Sequence, residues 1–216
     1  MKKKSIKLCQ VRPGEHFIHD GVEYVKLDEV AGATFALGVE ATLKNVQFES
    51  DDAEREDHNN YIGSNLEREG IRWLREQHPD TFDAVVERLV NLTTMDGMTD
   101  YGIPLASVRA LTIDEYRKYR HLIPLTDEPY WLATGWTTKR SPASDASYAA
   151  CIVTDGSVYN GNVYDGSFAA RPALYLKSSI LVSVDAEEAE KVLADYTDSD
   201  LIDELYRRRR ATYDPN

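Results

Sequence analysis

Cysteine is scarce in this chain of 216 residues, which contains only Cys9 and Cys151. Two cysteines so far apart in sequence form neither the disulfide framework of a small secreted domain nor the repeated ligand pairs of a zinc site. Cys151 lies inside the apolar run YAACIV and is predicted to be a small buried core residue. The sequence therefore predicts no metal ion and no other cofactor.

Positive charge is also in short supply. The 25 Lys and Arg residues are outnumbered by 37 Asp and Glu residues, which leaves a formal charge of −12. Direct nucleic-acid binding is not expected, because phosphate contacts need a basic surface. No run approaches the roughly 18 apolar residues that span a membrane, and the basic start MKKKSIKLCQV lacks the apolar segment of a signal peptide. We therefore expect a cytoplasmic protein with no membrane partner, or a virion component if a phage encodes it.

Recognisable catalytic motifs are missing. Ser, His and Asp residues are scattered without a context such as G-x-S-x-G, so no catalytic residue is assigned. The stretch Glu49 to Asp57, ESDDAERED, lacks the alternating oxygen ligands and central glycine of a calcium loop and is predicted to be an exposed, solvated loop. Binding is therefore favoured over catalysis.

Short strands and amphipathic helices predict an α+β fold. A first strand is predicted from Ser5 to Val11, followed by a small antiparallel meander from His16 to Val39. Helices are predicted from Ser64 to Gln77, from Thr81 to Leu89 behind the cap Asp80, and after Thr112.

The stretch from Tyr130 to Ser178 is the densest in aromatic, turn and β-forming residues. Apolar runs predict four strands, at Tyr130 to Ala133, Tyr148 to Val153, Val158 to Val163 and Ala173 to Leu176. The dipeptide Asn160-Gly161 is predicted to interrupt the third strand, because it favours a hairpin turn. Arg171 is predicted to satisfy loop carbonyls beside Pro172.

A mixture of aromatic and amide side chains in this stretch predicts a ligand-binding surface. Tyr offers a large contact area at low entropy cost, and Asn and Asp add hydrogen bonds. The predicted ligand-binding residues are Trp136, Tyr159, Asn160, Asn162, Tyr164 and Asp165. In an alternating strand, Tyr159 cannot share a face with Asn160. Val158 and Val163 are expected to face inward. The alternative is a turn-rich hairpin whose tyrosines are half buried for structural reasons.

Three motifs in order resemble the DUF6273 family, a bacterial and phage domain of unassigned function. They are YWLAT from Tyr130, YAACIVTDGS from Tyr148 and ARPALYLK from Ala170. The resemblance spans about Val11 to Ser179. It departs at the first motif, where the family has Arg-Ser-Pro and this chain has Ala-Thr-Gly.

The resemblance implies a C-type-lectin-like fold, which is shared with the formylglycine-generating enzymes. Two or three helices are then expected to pack on short antiparallel sheets within residues 1–183. Residues 184–216, which are not part of the family pattern, are predicted to form a charged helical extension. The predicted function, drawn from the residues, is a non-enzymatic module that recognises a protein or glycan through loops between the C-terminal strands, with loops Thr134 to Ala146 and Val158 to Ser167 as its surface. The alternative is an acidic phage or mobile-element accessory protein that inhibits a host or defence complex by occupying a basic surface.

Overall fold

The computed structural model describes residues 3–185 and shows a mixed α+β fold. This part of the chain contains three α-helices and twelve β-strands, and all strands within the sheets pair antiparallel. The predicted α+β class is therefore confirmed. The lectin-like assignment within that class stays a prediction.

The largest sheet has seven strands in the order β1-β12-β2-β3-β4-β11-β7. Its strands are β1 Lys3–Lys7, β2 His16–His19, β3 Val22–Val30, β4 Ala33–Gly38, β7 Val108–Arg109, β11 Ala173–Lys177 and β12 Leu181–Asp185. The predicted N-terminal meander is present as β2, β3 and β4.

A second sheet has three strands in the order β10-β9-β8, and a two-stranded ribbon joins β5 to β6. The strands are β8 Tyr130–Gly135, β9 Tyr148–Ile152, β10 Val158–Asn162, β5 Arg88–Leu89 and β6 Leu105–Ala106. The turn between β9 and β10 closes as expected, since Val153 N donates to the carbonyl of Ser157 at 3.0 Å.

The helices are α1 Asn65–Gln77, α2 Pro79–Ala84 and α3 Ile113–Tyr119. Of the three helices, α1 and α3 begin at side-chain caps that are readable in the sequence, and α2 begins without one. Ser64 accepts from Glu67 N at the start of α1. Thr112 and Glu115 form a reciprocal capping box at the start of α3, which satisfies backbone donors that the first helical turn leaves unpaired.

The second predicted helix is wrong at both ends. It starts at Pro79 behind His78, not behind Asp80, and it stops at Ala84. Val85 bridges Leu176 instead, and Val86 N donates to the Tyr175 carbonyl at 2.8 Å. Pairing with β11 satisfies the backbone there, and it suits β-branched residues better than another helical turn does.

Both ends of the described chain also differ from the prediction. The first strand ends at Lys7 and is followed by a 3-10 turn at Leu8–Gln10. The last strand, β12, pairs with β1 and runs to Asp185, across the predicted domain boundary after residue 183. The predicted helices of the extension lie outside the described residues.

Three apolar clusters separate the layers of the molecule. One lies between the two larger sheets and includes Leu37 and Leu132. Another lies between the other face of the seven-stranded sheet and α1 and includes Trp73 and Leu174. The third covers the outer face of the three-stranded sheet, with Trp131 at its centre. Strands β8 and β9 are therefore buried on both faces.

Candidate binding surface around strand β10

The framework under the candidate surface is strand β8. Trp131 is fully buried, and its Nε1 donates to the carbonyl of Val46 at 2.8 Å. Its ring packs against Phe168 with 4.2 Å between ring centroids. The YWLAT motif thus builds core, as expected of a framework strand.

The predicted turn at Asn160-Gly161 is wrong, because both residues lie inside β10. Gly161 pairs with Ala149 across the sheet. A Cβ at Gly161 would lie 2.6 Å from Cη2 of Trp131 and 2.9 Å from Cε2 of Phe168. Glycine is required here for the close approach of two rings, not for a turn.

The predicted ligand-binding residues on β10 divide between its two faces. Tyr159 lies opposite Cys151, whereas Asn160 and Asn162 lie opposite Ala150 and Tyr148 on the other face. Tyr159 is 64% exposed and Asn160 is half buried. These residues therefore belong to a strand and not to a loop, and they present two different surfaces.

The two valines that were predicted to face inward behave differently. Val163 is fully buried, whereas Val158 is 37% exposed. Val158 and Tyr159 are thus adjacent exposed apolar side chains on one strand, and each points to a different face.

The turn after β10 uses its polar side chains to hold itself. Asn162 Oδ1 accepts from Tyr164 N at 3.1 Å, and Asp165 Oδ1 accepts from Ser167 N at 2.8 Å. The Tyr164 carbonyl accepts from Gln47 Nε2 at 2.7 Å. Asn162 and Asp165 therefore have one acceptor atom each committed to the fold.

Tyr164 is half buried beside acidic groups. Its ring lies edge-on to His58, with 5.6 Å between ring centroids. Burial, and then the negative charges of Glu49 and Asp51, raise the pKa of the Tyr164 hydroxyl. Tyr164 thus presents a neutral, partly covered ring at the end of β10.

Trp136 follows β8 and is half buried. Its backbone N–H donates to the carbonyl of Tyr148 at 2.9 Å, which places it at the end of the sheet where Asn162 also lies. Of the six predicted residues, Trp136 and Asn162 therefore both lie next to Tyr148.

The loop from Thr134 to Ala146 is less free than predicted. Its first two residues belong to β8, and Thr137 and Ser141 are buried. Asn59 is also buried, and its Nδ2 donates to the carbonyls of Thr137 at 2.8 Å and Tyr148 at 2.7 Å. These hydrogen bonds hold the loop against Asn59 and β9.

Asp96 fastens the same loop from the other side. Its carboxylate accepts from the hydroxyls of Thr94 at 2.5 Å, Thr137 at 2.6 Å and Ser141 at 2.7 Å. Partial burial raises the pKa of Asp96, but these hydrogen bonds outweigh burial and lower it to about 2. The arrangement keeps a charged carboxylate between two loops and has a structural role.

The acidic stretch Glu49 to Asp57 differs in part from the predicted solvated loop. Glu49 is fully buried and forms an ion pair with Arg55. Arg55 also donates to the carbonyls of Asn60 and Ile62, at 2.7 Å in each case. The five remaining acids of the stretch are exposed. The loop therefore presents negative charge from an anchored backbone.

A polar cleft of about 330 Å³ adjoins the turn after β10. Gly166 contributes to its wall, together with Asn45 and Gln47 from one loop and Asn65 and Glu69 from α1. Sequence reasoning missed this cleft, because its walls come from segments far apart in the chain. The lining is mixed, because Leu43, Val46 and Lys44 lie beside the amide and carboxylate groups.

Arg171 has the structural role that was predicted. It is 1% exposed, its Nε donates to the Gly38 carbonyl at 2.9 Å, and its Nη1 donates to the Pro124 carbonyl at 3.0 Å. Its guanidinium lies 5.0 Å from the Tyr130 ring centroid.

Within residues 3–185, no group of three or more His, Cys, Asp or Glu side chains is arranged to hold a metal ion. No helix in the same range has the length and apolar content needed to cross a bilayer.

Comparisons with protein-family models, curated proteins and solved structures find no match for this chain.

Proposed function

We propose that the chain is a non-enzymatic binding module whose ligand-binding surface is strand β10 with its flanking turns. The observation that carries this proposal is the exposure of Tyr159, at 64%, next to the exposed Val158 on the outermost strand of a sheet. A large exposed aromatic side chain on a strand that is rigidly backed by a core is the kind of anchor that binding surfaces use.

A protein ligand fits this surface better than a glycan. Asn162 and Asp165 each commit an acceptor to their own turns, so fewer side-chain groups remain for sugar hydroxyls. The exposed ring of Tyr159 on one face, and exposed Val158 on the other, suit side chains of a protein. The lectin-like fold is part of the proposal, supported by helices and sheets that pack in layers and by the three family-like motifs.

The experiment screens the full chain against a peptide-display library and a glycan array, and then compares variants on the selected ligand. Tyr159→Ala is expected to weaken binding by about tenfold or more, because it removes the central anchor. Leu181→Ala is the matched control, since Leu181 is 63% exposed on a different sheet. Equal binding by Tyr159→Ala and the wild-type chain contradicts the proposal. If the screen selects glycans alone, the polar cleft is the binding site and β10 is not.

The second candidate function is that of an acidic accessory protein that occupies a basic surface of a host or defence complex. It is favoured by the anchored acidic loop, in which Arg55 holds the backbone while Asp51, Asp52 and Glu54 remain exposed. Substituting these three acids by Asn, Asn and Gln is expected to abolish such binding, and binding of this kind weakens steeply with added salt. Binding that is insensitive to salt contradicts this candidate.

A further inference from the structure

Strand β10 has one side that pairs with β9 and one side that is open. The sheet order β10-β9-β8 places it at an edge. At one end, Val153 N donates to the Ser157 carbonyl at 3.0 Å, and at the other, Val163 N donates to the Ser147 carbonyl at 2.9 Å. Because hydrogen-bonded pairs alternate along antiparallel strands, Tyr159 and Gly161 turn their backbone groups toward β9.

The intervening residues turn their backbone groups outward. Within residues 3–185, the N–H and C=O groups of Val158 and Asn160 have no hydrogen-bond partner, and Asn162 uses only its carbonyl, to Asp165 N at 2.9 Å. An edge of this kind is a template for another strand unless the sequence protects it. β10 reads VYNGN and contains no lysine, no proline and no charged residue that would do so.

The open side of β10 extends from Val158 to Asn162. An added segment would run along Asn162, Asn160 and Val158. The open length is about 17 Å for five residues at the rise of an antiparallel strand.

An exposed aspartate lies at each end of the open edge, and Arg120 also lies beside the first of them. Asp155 lies in the turn before β10, and Asp165 lies in the turn after it; both are exposed. Asp51 lies close enough to Tyr164 for its charge to contribute to the raised pKa of that hydroxyl. A segment with basic residues at its ends is thus complementary to this site.

The same charges disfavour pairing with a second copy of β10. In the fully overlapping antiparallel register centred on Asn160, position 155 of one copy falls opposite position 165 of the other. Two pairs of aspartates would then face one another, which is unfavourable. The occupant is therefore a segment of different sequence.

We infer that β10 binds its ligand by strand addition: an extended segment of another protein, apolar in the middle and carrying Lys or Arg at its ends, pairs its backbone with Val158 and Asn160. This inference rests on the proposed function and specifies its mode. Main-chain hydrogen bonds supply affinity in such complexes, and Tyr159 and Val158 supply contacts to alternate side chains of the partner.

The probe is a synthetic peptide about seven residues long, of alternating threonine and valine with a lysine at each end. It is titrated into the isotope-labelled full chain and followed by NMR. The amides of an extended peptide point alternately toward its two edges. A second peptide carries N-methyl groups on the amides of one edge, and a third carries them on the amides of the other edge. Both are needed because the direction of the added strand determines which edge faces β10. The expected result is saturable binding of the unmodified peptide and loss of binding by one methylated peptide. Equal binding by all three, or no binding of the unmodified peptide at millimolar concentration, overturns the inference.

Two variants at Asn160 separate backbone pairing from side-chain contact. Asn160→Pro removes the outward N–H and leaves the pairing with β9 intact, because proline is tolerated at an edge when its nitrogen faces outward. It is expected to weaken peptide binding by about tenfold, and Asn160→Ala by no more than about twofold. If Asn160→Pro binds as the wild-type chain does while Tyr159→Ala still impairs ligand binding, strand addition is wrong and the proposed binding surface stands.

Discussion

Gly161 and Gly70 are both non-terminal residues of secondary-structure elements, but their surroundings differ. A Cβ at Gly161 would meet the rings of Trp131 and Phe168, whereas no heavy atom lies within 4 Å of a Cβ at Gly70, inside α1. Glycine at position 161 is therefore required by packing. Glycine at position 70 only adds flexibility to a helix.

The two substitutions to alanine are expected to have opposite effects on stability. Gly161→Ala should lower the free energy of unfolding by about 2 kcal/mol, because the new methyl group overpacks a rigid aromatic pair. Gly70→Ala should raise it by about 1 kcal/mol through better helix propensity. Urea denaturation measures both, and equal effects of the two changes would contradict the packing explanation.

The dipeptide Asn160-Gly161 also shows why this site was misassigned from sequence. Asn-Gly is a strong local turn signal, but the rings that require glycine here come from residue 131 and residue 168. By contrast, the role of Arg171 was predictable, since a guanidinium beside a proline turn has nearby carbonyls to satisfy.

Local signals predicted both ends of α1 and the start of α3, and they failed at both ends of α2. Ser64 and Thr112 are caps because their partners, Glu67 and Glu115, lie three residues away. The end of α2 depends on pairing of Val85 and Val86 with β11, which lies about 90 residues later in the chain. A local sequence pattern does not indicate contacts between residues so far apart in the chain.

Asp96 holds two loops together and makes the stability of the protein depend on pH in the acidic range. Its pKa in the folded chain is about 2, below the ordinary value of 3.8, so folding favours the charged form. The resulting stabilisation is complete above pH 3.8 and is lost as the pH falls through about 2. Its size is about 1 kcal/mol once solvent screening of this exposed carboxylate is considered.

Asp96→Asn is therefore expected to lower the melting temperature at neutral pH, and the difference from the wild-type chain should shrink below the ordinary carboxyl pKa. Asp52→Asn, an exposed position in the acidic loop, is the control and should change little. Thermal unfolding across this pH range tests the point. A difference that stays constant down to the lowest pH would show that the Asp96 charge has no part in holding the loops.

Residues 3–185 form a stack of α1 with α2, the seven-stranded sheet, the three-stranded sheet and the covering loops. Its layers bury both faces of β8 and β9 and leave β10 at an edge. The class of fold followed from the sequence, since strand and helix patterns are local. The open edge did not, because the order of strands in a sheet depends on which distant segments pair.

Amide hydrogen exchange of the full chain, alone and with the lysine-flanked peptide, tests the central claim most directly. In the free chain, Tyr159 and Gly161 should exchange slowly because they pair with β9, and Val158 and Asn160 should exchange rapidly. With the peptide bound, exchange at Val158 and Asn160 should slow. Protection confined to other parts of the chain, with these two amides still exchanging rapidly, would contradict the assignment of β10 as the binding edge.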